Sequence, residues 1–417
     1  LNHLAHSARS MVDFVSNDEA DATRLREGTA LIQNVTSGMN AVVGGHARCT
    51  DRTRFVFYYD IAYGSNKKMC QTYHGKENAI AIPFEEEFLP LLQNISATTS
   101  NNRNDGDWNS ESTEIFLAAL DSTIHKIIRT GRKSSIAGSL LILDHITSNT
   151  AIHLPIASIA KYAKEEYGMI VAVDGAHALL GLPLNMGSTL STGNSQEDEE
   201  GGRGYVDIYL TNAHKWFSSP RGAALLFCAN PKIRDTILAQ PAVVSHGVDD
   251  GFLSRFMWDG CRDYSAQLSL PAILDYWNTA NVDTVREEMQ RNLKDGVRIL
   301  ISHWHPDFDA SCVEEQSAEA GLTLVPLNIH APMLALVRLP DRVSGGAKGN
   351  NSSTAVERKS STDAKRVQDF LYSHNIEVPI KCIRGVLYAR VSCHVYNTAG
   401  EFERLGRVAL EYYDAAL

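Results

Sequence analysis

From Ser139 to Asp174 the chain reads as strand, helix and strand, and this stretch constrains the fold more than any other. Ser139 to Leu143 (SLLIL) is short, apolar and uninterrupted, as a strand covered on both faces must be. Pro155 to Tyr167 places Ile156, Ile159 and Ala160 on one stripe, with Lys161, Lys164, Glu165 and Glu166 outside it, which predicts a half-buried helix. Met169 to Val173 (MIVAV) is a second buried strand. Two such strands joined through a helix form a parallel crossover unit. Strand-like runs at Thr29 to Gln33, Arg54 to Tyr59, Ala79 to Pro83, Val206 to Leu210 and Gly222 to Phe227, with a helical run from Ile115 to Thr130, extend the unit into an α/β sheet.

In open α/β sheets ligands bind beyond the carboxyl ends of the strands. Asp174 stands at that end of Met169 to Val173, followed by Gly175, Ala176 and His177. Lys215 stands 41 positions later, flanked by His214 and Trp216, between the last two strand-like runs of the sheet. A lysine between two buried strands is costly unless it is neutralised, paired or used. A carboxylate and a lysine at such strand ends suit pyridoxal 5'-phosphate, the aspartate keeping the ring nitrogen protonated and the lysine forming the Schiff base.

With DGAH and HKW around it, this pair resembles the aminotransferase class V group of fold-type I enzymes. The resemblance is nearest to the isopenicillin N epimerase-like branch, which includes hercynylcysteine sulfoxide C–S lyases. It implies a large cofactor domain with a mostly parallel seven-stranded sheet flanked by helices, and a smaller α+β C-terminal domain. The expected boundary falls between residues 1–285 and 286–417, with Thr284 to Ser302 a linking helix. Thr36, Ser37 and Gly38 have helix N-cap chemistry, and in the resembled family this loop cradles the cofactor phosphate. Tyr63 falls at the family's aromatic position, where it stacks on the ring and serves as an acid or base; the alternative is a strand-end tyrosine packed in the core.

Thr147 or Ser148 is expected on the cofactor's phenolic oxygen, or else as a cap for the helix near Pro155. His177 is expected to cover or hydrogen-bond the cofactor, or else to pack at a helix start, and His214 belongs to the same cofactor set. Ser245, His246 and Gly247 resemble the family's SHG, and Trp258, Gly260 and Asp263 its W.G..D pattern, whose glycine reaches the phosphate of the neighbouring subunit in related homodimers. Cys261 stands where threonine is usual, so only the backbone contact of Gly260 carries over. Arg390, in RVSCHVYN, matches the arginine that grips the substrate α-carboxylate.

A net charge of -10 with mixed signs argues against a nucleic-acid partner, and no apolar run reaches the roughly 18 residues a membrane span needs. Seven scattered cysteines without CxxC spacing suit reduced thiols in a cytoplasmic enzyme rather than a disulfide frame or a zinc site. His303, His305 and Asp307 lie in a proline-containing turn, and no metal is expected there. Polar stretches at Asn94 to Ser112 (with Trp108), Ser188 to Gly204 and Val343 to Ser361 read as solvated loops. The chain begins LNHLAHSARS, with neither a secretory signal nor a counterpart of the family's Asn-His-Gly-Ser-like substrate loop, and the N-terminal segment is expected to be missing.

The resemblance implies an amino-acid substrate held by Arg390, with Lys215 removing the Cα proton. A leaving group on Cβ then gives β-elimination, with Tyr63 protonating the sulfur; reprotonation from the opposite face gives an epimerase, and reprotonation on the cofactor an aminotransferase. The reading preferred is a C–S lyase acting on a cysteine conjugate or sulfoxide. Cysteine desulfuration is disfavoured because the insertion before Arg390 holds no cysteine and Cys382 lies only eight residues ahead of it. The reading from another class is a catalytically silent binding protein that keeps the fold.

Overall fold

The computed structural model describes residues 2–16, 18–95, 110–132, 135–194, 204–340 and 358–414. The expectations for Trp108 and for most of the three polar insertions lie outside the described residues. Their edges are ordered: Ser110 to Ser112 open the helix Ser110–Arg129, Met186–Thr189 is a helical turn, and Leu190 bridges to Val206.

The chain divides into two compact units: Leu1–Phe84 with Asn102–Ser148 and Leu154–Thr284, and Glu85–Asn101 with Asn149–His153 and Val285–Leu417. The first unit holds a seven-stranded sheet. Its strands are β1 (Thr29–Ile32), β2 (Val56–Tyr59), β3 (Ala79–Ile82), β4 (Leu140–Asp144), β5 (Ile170–Asp174), β6 (Ile208–Asn212) and β7 (Ala224–Phe227), in the order β1-β7-β6-β5-β4-β2-β3. Only β7 runs against the others, pairing antiparallel with both β1 and β6. The sequence-predicted crossover is seen in β4, the helix Ile156–Tyr167 and β5, which pair in parallel with Asp144 opposite Asp174.

Both faces of this sheet are buried, which is why its strands carry so few polar residues. On one face Ala30, Val56, Ile142, Ala172, Leu210 and Leu226 pack with the helix Val35–Cys49 in a single core. On the other, the Tyr59 hydroxyl donates to the Phe116 carbonyl at 2.9 Å, and its ring meets Phe84 and Phe116 edge-on. Asp144, Asp174, Thr211 and Asn212 sit at the carboxyl ends of their strands, where the site is built.

The strand expected at Val206 to Leu210 is displaced: Thr211 and Asn212 belong to β6 rather than to a turn. Their side chains find partners at the sheet edge, since Thr211 Oγ1 donates to the Gly175 carbonyl at 2.7 Å and Asn212 Oδ1 accepts from Val35 N at 3.0 Å. The acidic patch at Asp18 to Asp21 starts the helix Glu19–Glu27, with Asp18 capping it.

The second unit is built on a three-stranded antiparallel sheet, β8 (Leu334–Arg338), β9 (Ile380–Ile383) and β10 (Val386–Ser392), in the order β8-β10-β9. Alternate residues Ala335, Val337, Leu387, Ala389 and Val391 pack into one core with Val297, Leu300, Val367 and Leu405 from its helices.

Candidate active site

Asp174 ends β5 with its carboxylate 6% exposed. Its Oδ2 accepts from Asn66 Nδ2 at 2.7 Å and its Oδ1 from Ala176 N at 3.0 Å. Burial raises its pKa, while Asn66, the Ala176 amide and the charge of Lys215 oppose that rise. Two donors and a facing cation are what a buried carboxylate needs to stay ionised.

Lys215 lies on the connection from β6 to β7, a turn pinned by Ala213 N donating to Ala223 O at 3.0 Å and Ser218 N donating to Lys215 O at 3.1 Å. Ser218 takes a left-handed conformation, φ +62°, to close it. Trp277 Nε1 holds the next residues through the Phe217 carbonyl at 2.9 Å. Lys215 Nζ lies 2.9 Å from His177 Nε2. His177 follows the end of β5 on a turn rather than at a helix start, so the alternative of a histidine packed at a helix is set aside. His214 points into the hairpin, its Nδ1 3.0 Å from Ala223 O, and burial lowers its pKa.

The helix Val35–Cys49 begins beside β6, and here the sequence reading needs correction. The N-cap is Asn34, whose extended backbone (φ -164°) lets its Oδ1 accept from Ser37 N at 2.9 Å. Thr36, Ser37 and Gly38 form the first turn instead of the cap. Gly38 is required for packing, because a Cβ there would lie 2.3 Å from Leu210 Cδ2 and 2.7 Å from Ile32 Cδ1. The helix still presents the positive end of its dipole at the strand ends, which is where an anion is stabilised.

Tyr63 is 43% exposed, so it is not packed in the core, and it leads into the helix Gly64–His74. Its backbone N–H donates to Asp144 Oδ2 at 2.8 Å. Thr147 is fully buried and Ser148 half-buried; neither caps the helix Ile156–Tyr167, which begins after Pro155 without a side-chain cap. Gly260 has φ +112° with nothing within 4 Å of the Cβ it lacks, in a turn held by Asp259, which accepts from Gln33 Nε2 at 2.5 Å. Trp258 stacks on Tyr264 with ring centroids 5.8 Å apart.

Arg390 belongs to the second unit, on β10 opposite Leu336, where it is half-buried and burial lowers its pKa. In the same unit His303 Nε2 meets Glu403 at 2.5 Å and His305 Nε2 lies 3.1 Å from the Arg338 carbonyl. His303 closes the helix Val282–Trp304 rather than sitting in a turn. Among the described residues no group of three or more His, Cys, Asp or Glu could hold a metal ion, and no helix is long and apolar enough to cross a membrane.

Sequence reasoning passed over Asp144 and Asn66. Asp144 ends β4 as Asp174 ends β5, so the same signal, a carboxylate closing an apolar run, was present in both. Asn66 carries no such signal, because only the turn of the helix from Tyr63 brings its amide to Asp174.

The fold is similar to that of several solved structures. The cystine C–S lyase C-DES, in complex with its reaction product cysteine persulfide, superposes with a TM-score of 0.58 at 17% identity, over 98% of this chain and 86% of that one. A mutant of C-DES has been solved with glycine covalently linked to its pyridoxal-phosphate cofactor. The chain has the fold-type I fold.

An L-cysteine desulfhydrase of Arabidopsis thaliana is 24% identical over 96% of this chain and 77% of its own length. Isopenicillin N epimerase of Amycolatopsis lactamdurans is 24% identical over 65% of this chain and 59% of its own. No family model matches the chain.

Proposed function

We propose that this fold-type I chain is a pyridoxal-phosphate-dependent C–S lyase that cleaves the Cβ–S bond of a cysteine-type amino acid. The observation that carries the reading is the convergence of Asp174, His177 and Lys215 at the carboxyl ends of β5 and β6, with Lys215 Nζ 2.9 Å from His177. Relatives named L-cysteine desulfhydrase, matching along most of the chain, support the choice of β-elimination.

The residues fit the cofactor. Asp174 is a buried carboxylate able to face a ring N–H, Lys215 is an amine held at the adjoining strand end, and the first turn of Val35–Cys49, with Thr36 and Ser37, faces the same edge. These residues would hold it, with Lys215 as the covalent attachment. When bound, the cofactor supplies a ring that accepts the electron pair left at the substrate Cα.

The rest falls to the chain's side chains. By its resemblance to the family's carboxylate arginine, Arg390 is the residue that would grip the substrate α-carboxylate through a bidentate pair of N–H donors. The Lys215 amine would take the Cα proton, and its neighbour His177 would keep that amine oriented. The Cβ–S bond breaks with its electrons on sulfur, and the Tyr63 hydroxyl, on an exposed side chain, supplies the proton to the leaving thiolate. Hydrolysis of the enamine left behind yields a 2-oxo acid and ammonia.

A cysteine nucleophile for desulfuration finds no support in Cys382, which is fixed on β9 with its thiol donating to the Lys359 carbonyl at 3.2 Å. Epimerisation is the second reading, favoured by the similarity to isopenicillin N epimerase. We propose further that the enzyme is a cytoplasmic homodimer, with Gly260 offering its backbone to the partner's cofactor phosphate. The test is incubation of the cofactor-loaded protein with L-cysteine and with S-substituted cysteines in deuterated water. The lyase reading expects pyruvate and sulfide or thiol in equal amounts, whereas Cα-deuterium exchange without cleavage would give the chain to the epimerases.

A further inference from the structure

Asp144 and Asp174 are register partners on adjacent parallel strands, β4 and β5, so their side chains stand on the same face of the sheet. Both are buried, 4% and 6% exposed. Two carboxylates this close and this dry do not both stay ionised. Their surroundings differ in a way that decides which one keeps a proton.

Asp174 accepts two N–H donors and feels the charge of Lys215. Asp144 accepts from one backbone amide, that of Tyr63 at 2.8 Å, while its Oδ1 is buried with no hydrogen-bond partner among the described residues. A carboxyl with one oxygen accepting and the other bare is better matched to the neutral acid than to the anion. Burial and the charge of Asp174 push the Asp144 pKa well up, and Asn66 and Lys67 only partly offset them. The other groups around the pair do not change the balance: the Cys70 thiol is pushed up to about 12, the His145 imidazole is pushed down to about 3, and Tyr209 is pushed up, so all three are neutral. Lys67 donates to the Asp60 carbonyl, and Lys215 sits against His177 on the Asp174 side.

We propose that Asp144 and Asp174 share one proton, held on Asp144, and that Asp144 is a positioning residue fastening the Tyr63 segment to the pair. The arrangement leaves one negative charge on the sheet edge, matched to one cationic ring. It also ties the backbone of Tyr63 to the carboxylate pair, so that the tyrosine and the ring partner are set by one group. Only the roles of Asp174 and Tyr63 toward a cofactor rest on the proposed lyase; the shared proton does not.

The test therefore uses the cofactor-free protein. Asp144→Asn mimics the neutral acid and can still accept from Tyr63 N. A proton held in the folded state and lost on unfolding makes the unfolding constant rise about tenfold per pH unit above the ordinary carboxylate range. Urea unfolding of wild type and Asp144→Asn between about pH 5 and 7 should show the wild-type unfolding constant rising, relative to that of the variant, by about tenfold per pH unit. Contributions from histidines are common to both proteins and cancel. Parallel pH profiles would overturn the proposal. Should the variant not fold, the infrared spectrum of wild type at neutral pH decides: the carbonyl band of a protonated, buried carboxyl must be present, and its absence overturns the proposal equally. Neither readout depends on cofactor or substrate, so failure of the lyase reading and failure of this one are separable.

Discussion

Lys215 Nζ and His177 Nε2 are 2.9 Å apart, and the bond spans two strand ends that are 38 residues apart in the chain. If the amine donates, His177 must offer its Nε2 lone pair and is therefore neutral with its proton on Nδ1. The imidazole thus aims the amine without competing for its charge.

His177→Ala should leave cofactor uptake intact and lower kcat about tenfold or more, the value of one hydrogen bond of roughly 1.5 kcal/mol to a charged group, with KM little changed. Steady-state kinetics on the substrate found by screening would check this. A change in KM alone would mean that His177 acts on substrate binding rather than on the base.

Asp174→Ala removes a buried charge whose neighbours are arranged around it, and the cost of breaking such a pair is about 3–5 kcal/mol. Cofactor affinity, followed by equilibrium dialysis and absorbance, should fall by about 100-fold or more. Unchanged affinity would place the ring elsewhere.

Gly38→Ala tests packing at the first turn of Val35–Cys49. The added methyl would lie 2.3 Å from Leu210 Cδ2 and 2.7 Å from Ile32 Cδ1, so those side chains or the helix must shift. Overpacking of this kind costs about 1–3 kcal/mol, and the thermal midpoint should drop by several degrees while Ser37→Ala leaves it nearly unchanged.

His46 and His74 form a buried pair, ring nitrogens 3.3 Å apart, and His46 Nε2 lies 2.8 Å from the Gly138 carbonyl. Burial pushes the His46 pKa down to about 4 and lowers that of His74 as well. Both are therefore neutral in the folded state near neutral pH and take up protons on unfolding below their usual value near 6.5. Stability is lost as pH falls from about 6.5 toward 4, by a few kcal/mol in all. Replacing His46 with Gln should flatten that acid limb in urea titrations; an unchanged limb would assign it to other groups.

Much of the sheet was legible because its strands are covered on both faces. After Ser139, SLLIL and MIVAV have no polar residue to confuse their period, and their crossover helix carries a clear stripe. Asp174 and Lys215 were legible for a related reason, as charged residues at the ends of apolar runs. The end of β6 was not, since Thr211 and Asn212 are polar in sequence yet satisfied by Gly175 and Val35 far away in the chain. The cap at Asn34 was hidden behind Thr36 and Ser37, three residues of similar capping chemistry within four positions, and only the backbone angles separate them. Asn66 was invisible because its partner lies 108 residues away.

The most direct measurement is borohydride reduction of the protein saturated with pyridoxal phosphate, followed by peptide mapping. The account predicts one phosphopyridoxyl label, on Lys215, and its loss in Lys215→Ala with the fold retained. A label on another lysine, or none, would contradict the site assigned to the ends of β5 and β6.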